Sequence, residues 1–214
     1  MKLYLTSNGL ENSIVSNHFE MMFLPKEPKD LSFLVISVQD NESDGFYLEE
    51  TKNKLNQTGV INIDVFELGA EKFHADKEYD VIYVCGGNTF VYLDRIRKTG
   101  LDQFIIDSVT SGRSTYVGVS AGSIIAGPSI EIAGWGSQSD SNDIGLKDLR
   151  GLNLTGTTIY PHYTKELASE LNKFKERYGH QIETLEDDQA IMLNYTDMGR
   201  LKDVSSFLYV NKDL

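Results

Sequence analysis

The chain has 214 residues, 40% of them hydrophobic and 24% charged, and its 20 basic and 32 acidic side chains give a formal net charge of −12. This is the composition of an ordinary globular protein, and its acidic excess speaks against nucleic acid, which needs a concentrated basic surface. No apolar run approaches the ~20 residues that span a bilayer, so no membrane partner is expected.

The length suits one domain over residues 1–214. The start, Met1-Lys2-Leu3-Tyr4-Leu5-Thr6, carries no long apolar leader, and the single cysteine, Cys85, has no partner within the chain for a disulfide. The expected location is therefore the cytoplasm. An anionic substrate would need a local cation, because the overall charge opposes it.

Short apolar stretches rich in β-branched and aromatic residues predict strands at 2–6, 31–37, 60–65, 81–85, 115–119 and 157–160. His18 falls in an early helix, and His74 in a charged loop. After 81–85 comes Gly86-Gly87-Asn88-Thr89-Phe90, then a helix marked by Phe90, Leu93 and Ile96. Over 101–111, Leu101, Phe104, Ile105, Ser108 and Val109 repeat at helical spacing, with Gly112 as the stop. Over 164–178, Leu167, Leu171, Phe174 and Tyr178 form one stripe, with Thr164 as N-cap and Gly179 at the end. His180 then reads as an exposed cap, and 190–194 and 207–210 as further strands near a sheet edge. Strands alternating with helices predict an α/β fold with a largely parallel sheet covered on both faces.

The most informative stretch is Thr115-Tyr116-Val117-Gly118-Val119-Ser120-Ala121-Gly122-Ser123. An apolar strand runs into Gly-x-Ser-x-Gly, and a short helix follows until Pro128 stops it. In that setting the pentapeptide is a nucleophile elbow: a turn tight enough to need Gly118 and Gly122 lifts the Ser120 hydroxyl above the sheet. The turn aims the Ala121 N–H at a developing oxyanion, and Gly87 on the paired-glycine turn is the second donor. Cys85, inside a strand, reads as a small buried hydrophobe rather than a nucleophile.

Serine needs a base to take its proton. His162, in Thr158-Ile159-Tyr160-Pro161-His162-Tyr163-Thr164, directly follows a strand and precedes a helix, which predicts a place on the same sheet edge as Ser120. The orienting acid is sought in Glu186-Asp187-Asp188 at the entrance to a strand. Asp187 and Asp188 are both in reach, with Glu186 the outside choice.

Taken together, these four motifs resemble the peptidase E (aspartyl dipeptidase) and cyanophycinase-like family of serine peptidases, in order and spacing, from the first strand to about residue 195. The resemblance implies a flavodoxin-like three-layer sandwich, similar to class I glutamine amidotransferase domains, with a Ser–His–acid triad and no metal or other cofactor. It places the nucleophile on Ser120, the base on His162, the acid on Asp187, and the oxyanion donors on Gly87 and Ala121. It also implies a short peptide substrate, with N-terminal aspartate in peptidase E itself. The expected assembly is a monomer or homodimer. Substrate-binding candidates are Asn88, Asp143, Tyr163, Thr164 and Lys165. Asp140 is an alternative to Asp143 for the free α-amino group, and Arg113, Lys147 and Arg150 are further cations. The sequence departs from peptidase E in the segment after the elbow, where Glu131-Ile132-Ala133-Gly134-Trp135 precedes Asn142-Asp143-Ile144. Rival readings are an esterase or amidase on the same elbow, and a non-catalytic ligand-binding member of the fold.

Overall fold

A computed structural model of the chain describes residues 1–23, 26–38, 42–69, 71–194 and 208–210. A seven-stranded sheet forms the centre, built from β1 (Lys2–Thr6), β2 (Ser32–Ser37), β3 (Asn62–Glu67), β4 (Val81–Val84), β5 (Thr115–Val119), β8 (Ala190–Asn194) and β9 (Leu208–Val210). Its spatial order is β3-β2-β4-β5-β1-β8-β9. The five strands from β3 to β1 are parallel, while β8 runs antiparallel to both β1 and β9. Helices α1 (Ser13–Met21), α2 (Glu42–Gln57), α3 (Thr89–Thr99), α4 (Leu101–Thr110), α5 (Ala121–Ile125) and α6 (Ala168–Tyr178) complete a three-layer α/β fold. The expected fold class is the one observed.

The central strands are apolar throughout because both of their faces are covered. All four residues of β4 are buried, as are Leu3, Tyr4 and Leu5 of β1, and Tyr116 and Val117 of β5. Burial of roughly 1.5–3 kcal/mol for each large side chain makes this the main stabilising layer. It also fixes the register of three adjacent strands, with Val84 opposite Gly118 and Thr6 opposite Val119. Since β4, β5 and β1 are parallel neighbours, their carboxyl ends share one sheet edge. That edge presents Gly86-Gly87, Ser120 and Ser7 side by side, where open α/β sheets bind ligands.

Several boundaries differ from the expectation. The apolar start of 60–65 is taken up by the turn that follows α2, where the Val60 N–H donates to Leu55 O at 3.1 Å, so β3 begins two residues later. Thr164 makes no side-chain capping bond; a 3-10 turn, Lys165–Leu167, comes first, and α6 starts at Ala168. β6 (Thr158–Tyr160) lies outside the main sheet and pairs in parallel with β7 (Ile182–Thr184) in a separate two-stranded sheet. Phe207, the first residue of the last expected strand, lies outside the described residues. Among the described residues, no helix is long and apolar enough to cross a membrane.

Candidate active site

β5 ends at Val119, and Ser120 makes the turn with φ 48° and ψ −109° before α5 begins. The elbow is possible because no Cβ stands in its way. A Cβ on Gly118 would lie 2.7 Å from the Gly122 carbonyl, and one on Gly122 would lie 2.4 Å from Val84 O. The turn is anchored by the Ser120 N–H donating to Thr6 O at 3.0 Å, and by the Ser123 hydroxyl, 2.8 Å from both Thr6 O and Gly118 O.

His162 reaches Ser120 from β6, which is not the route expected. The sequence pattern places it at the edge of the main sheet, whereas the strand before it sits on the separate β6–β7 pair. The ladder continues past the strand ends, with Leu185 N–H donating to Tyr160 O and Tyr163 N–H to Leu185 O, each at 2.9 Å. These bonds bring the turn at residues 186–188 beside His162, close enough for the short side chain of aspartate.

The result is a continuous array. Ser120 Oγ is 2.8 Å from His162 Nε2, and His162 Nδ1 is 2.6 Å from Asp187 Oδ1. A carboxylate only accepts, so Nδ1 carries the proton and Nε2 is left to accept from the serine hydroxyl. Asp187 is the acid that meets His162; for Glu186 the structure gives a backbone bond, its N–H donating to Gln189 Oε1. Of the non-glycine residues described, three have positive φ: Ser120, Asn153 and His162. Two of the three are the serine and histidine of this array. Such conformations cost about 1–3 kcal/mol each and persist where surrounding contacts over-determine them.

Gly87, at φ 146°, turns beside the serine, where a Cβ would fall 2.9 Å from the Tyr92 ring. A Cβ on Gly86 would touch Ser120 Cβ at 3.4 Å, so the loop after β4 lies against the elbow. Ala121 opens α5, and the first N–H groups of a helix have no partner within it.

Two recesses meet at Ser120 and His162. The larger, about 310 Å³, is bounded by Glu11, Glu50 and Lys54 as well as Tyr83 and Cys85. Lys54 Nζ is 3.1 Å from Glu11 Oε2. The smaller, about 60 Å³, is lined by Thr89, Gln138, Asp140 and Tyr160. Asp140 Oδ2 accepts from the Thr89 N–H at 2.9 Å, and the buried Thr89 hydroxyl has no partner. Cys85 is buried, and desolvation pushes its thiol up to about 12, with the Thr51 hydroxyl opposing. At neutral pH it stays a thiol.

The remaining candidates are dispersed. Asn88 caps α3, accepting from Phe90 N–H and Val91 N–H at 3.1 Å each. Asp143 is exposed and accepts from the Ser141 hydroxyl. Tyr163 packs on Tyr160, and Thr164 and Lys165 are exposed. Arg113 faces Glu78 and Arg150 faces Asp148. Lys147 is exposed. None of these residues lines either recess. His180 is not an exposed cap: it lies 3.2 Å from the Thr158 hydroxyl and packs on Phe174. Sequence reasoning missed Ser7, Glu11 and Lys54. Ser7 follows the end of β1 as Ser120 follows the end of β5, a signal available in the strand pattern.

Fold and site together define an α/β protein with a Ser–His–Asp array on a strand-to-helix elbow. The chain belongs to peptidase family S51, whose family model matches residues 3–200. That membership supports serine peptidase activity. An uncharacterized peptidase of Pasteurella multocida is 31% identical over 156 residues, covering 70% of this chain and 74% of that protein. A peptidase E of Streptomyces coelicolor is 28% identical over 80% of this chain and 66% of its own length. For a peptidase E of Salmonella arizonae the figures are 32%, 65% and 54%. A crystal structure of a candidate peptidase E protein from Listeria monocytogenes superposes with a TM-score of 0.72 at 25% identity, covering 92% of this chain and 95% of that one.

Proposed function

We propose that this protein is a serine exopeptidase acting on short peptides, with Ser120 as nucleophile, His162 as general base and Asp187 as orienting acid. The observation that carries the reading is the unbroken run from Ser120 Oγ through His162 to Asp187, at 2.8 and 2.6 Å. Ser120 attacks the scissile carbonyl as its proton passes to Nε2. The N–H groups of Gly87 and Ala121 receive the oxyanion, and His162 protonates the leaving amine. Water, activated by the same imidazole, then releases the acyl group.

The two recesses support a short substrate. A cavity of about 310 Å³ is at the lower end of the ligand range of roughly 300–1,000 Å³. Its Glu11, Glu50 and Lys54 are charged, which favours a peptide over an apolar ester. An acid aimed at the imidazole, rather than away from it, favours catalysis over simple ligand binding. Asp140 and the unpartnered Thr89 hydroxyl suit the free α-ammonium group of an N-terminal residue. Selectivity for N-terminal aspartate rests on the resemblance to peptidase E; among the described residues, Lys54, paired with Glu11, is the lysine side chain that lines the cavity.

The test is hydrolysis of peptides beginning with Asp, Glu, Asn, Ala and Lys, by wild type and Ser120→Ala. Cleavage after the first residue, strongest for Asp and absent in the variant, is expected. Cleavage that persists in Ser120→Ala would overturn the nucleophile, and internal cleavage would overturn the exopeptidase assignment.

A further inference from the structure

Ser7 is the residue immediately past β1, and it is buried, with 1% of its surface exposed. Its hydroxyl touches the His162–Asp187 pair at three points. Ser7 Oγ donates to Asp187 Oδ1 at 3.0 Å, accepts from the His162 backbone N–H at 2.7 Å, and lies 3.3 Å from His162 Nδ1. A serine hydroxyl has one proton and two acceptor sites. With the proton on Asp187, the lone pairs face the His162 amide and the edge of the imidazole, so all three contacts can hold at once.

This arrangement answers a weakness elsewhere in the array. The Asp187 side chain is 64% exposed and that of His162 41%. Water therefore competes for the carboxylate. His162 is also held at φ 55°, a conformation that needs outside support. The Ser7 hydroxyl is a buried group that binds both residues. Its own position is set by the sheet, since Thr6 is in register with Val119 and the Ser120 N–H donates to Thr6 O. Ser7 and Ser120 thus end adjacent strands and are fixed by the same ladder.

We propose that Ser7 is a positioning residue of the catalytic array: its hydroxyl ties Asp187 to the backbone of His162 and keeps the imidazole aligned with Ser120. Ser7 borders the larger recess but is 1% exposed, and it acts through these two residues. The inference rests on the peptidase reading above.

The test is the rate at which a fluorophosphonate labels Ser120 in the full chain, for wild type, Ser7→Ala, Ser7→Cys and Ser7→Thr. Thermal unfolding and the low-field proton resonance of His162 Nδ1–H are recorded on each. Misplacement of a catalytic group by about 1 Å costs up to roughly 10²-fold, so Ser7→Ala should label about 10- to 100-fold more slowly. Its Nδ1–H resonance should broaden or vanish as water reaches the carboxylate. Ser7→Thr, which keeps the hydroxyl, should recover most of the rate and the resonance. Ser7→Cys, similar in size with a weaker donor, should fall between, and it carries the test if the alanine variant does not fold. A folded Ser7→Ala or Ser7→Cys that labels at the wild-type rate with its resonance intact overturns the inference. So does a Ser7→Thr that folds but labels as slowly as Ser7→Ala. A wild-type chain that takes no label at Ser120 removes the peptidase reading itself, and this inference with it.

Discussion

Replacing Gly122 by alanine tests how tightly the elbow is built. The added Cβ would sit 3.1 Å from Val84 C and Cβ and 2.4 Å from Val84 O, the last about 1 Å short of ordinary contact. Neither side can yield cheaply. Val84 is fixed in the sheet opposite Gly118, and the Gly122 carbonyl is held by the Tyr116 hydroxyl at 2.7 Å. Gly118 lies directly beneath, already so close that a Cβ there would strike the Gly122 backbone. The remaining way out is for α5 to lift away, taking Ser120 with it. Overpacking of this kind costs about 1–3 kcal/mol, and a clash with backbone fixed in the sheet belongs at the upper end. At roughly 2–4 °C per kcal/mol for a chain of this size, about 3 kcal/mol lowers the melting temperature by some 6–12 °C. A serine displaced by about 1 Å should label with fluorophosphonate ~10²-fold more slowly. Gly145→Ala is the control: no atom lies within 4 Å of its added Cβ, so only the φ of 65° is penalised, at about 1–2 kcal/mol. The reasoning fails if Gly122→Ala melts within about 2 °C of wild type and labels normally.

Three further outcomes follow from the site. Asp187→Asn keeps the shape of the side chain but offers Nδ1 an amide, so the tautomer is no longer set; turnover should fall by up to about 10⁴-fold with the fold intact by circular dichroism. Cys85, raised to about 12 by burial, should resist thiol reagents at pH 8 until denaturant is added; rapid modification of the native chain would restore it as a candidate nucleophile. Lys54→Met should lower kcat/KM for peptides beginning with Asp or Glu more than for those beginning with Ala, and an equal loss on both would show that Lys54 does not read the acidic side chain.

The elements that could be read from sequence were those whose pattern is set locally. β1 and β5 fall at their expected bounds because each is a short apolar run buried on both faces. The elbow was legible for a similar reason: its two glycines answer contacts within a few residues and with the adjacent strand. Lys54 was not legible, because α2 is polar along most of its length and gives no clear apolar stripe. β7 was missed because Ile182-Glu183-Thr184 has one apolar residue and gains its identity only by pairing with β6. That omission matters for function, since the β6–β7 ladder delivers Asp187 to His162. The sequence expectation for His162 therefore had the right neighbour and the wrong scaffold. Ser7 illustrates a different limit: a buried serine after a strand is common, and its three contacts come from residues 155 and 180 positions away.

The account stands on Ser120 being activated by His162. The most direct measurement is peptide mapping by mass spectrometry after brief exposure to a fluorophosphonate, comparing wild type, Ser120→Ala and His162→Ala. The account predicts one adduct, on Ser120, absent from Ser120→Ala and formed far more slowly in His162→Ala. Labelling on another residue, or labelling of Ser120 at the same rate without His162, would contradict it.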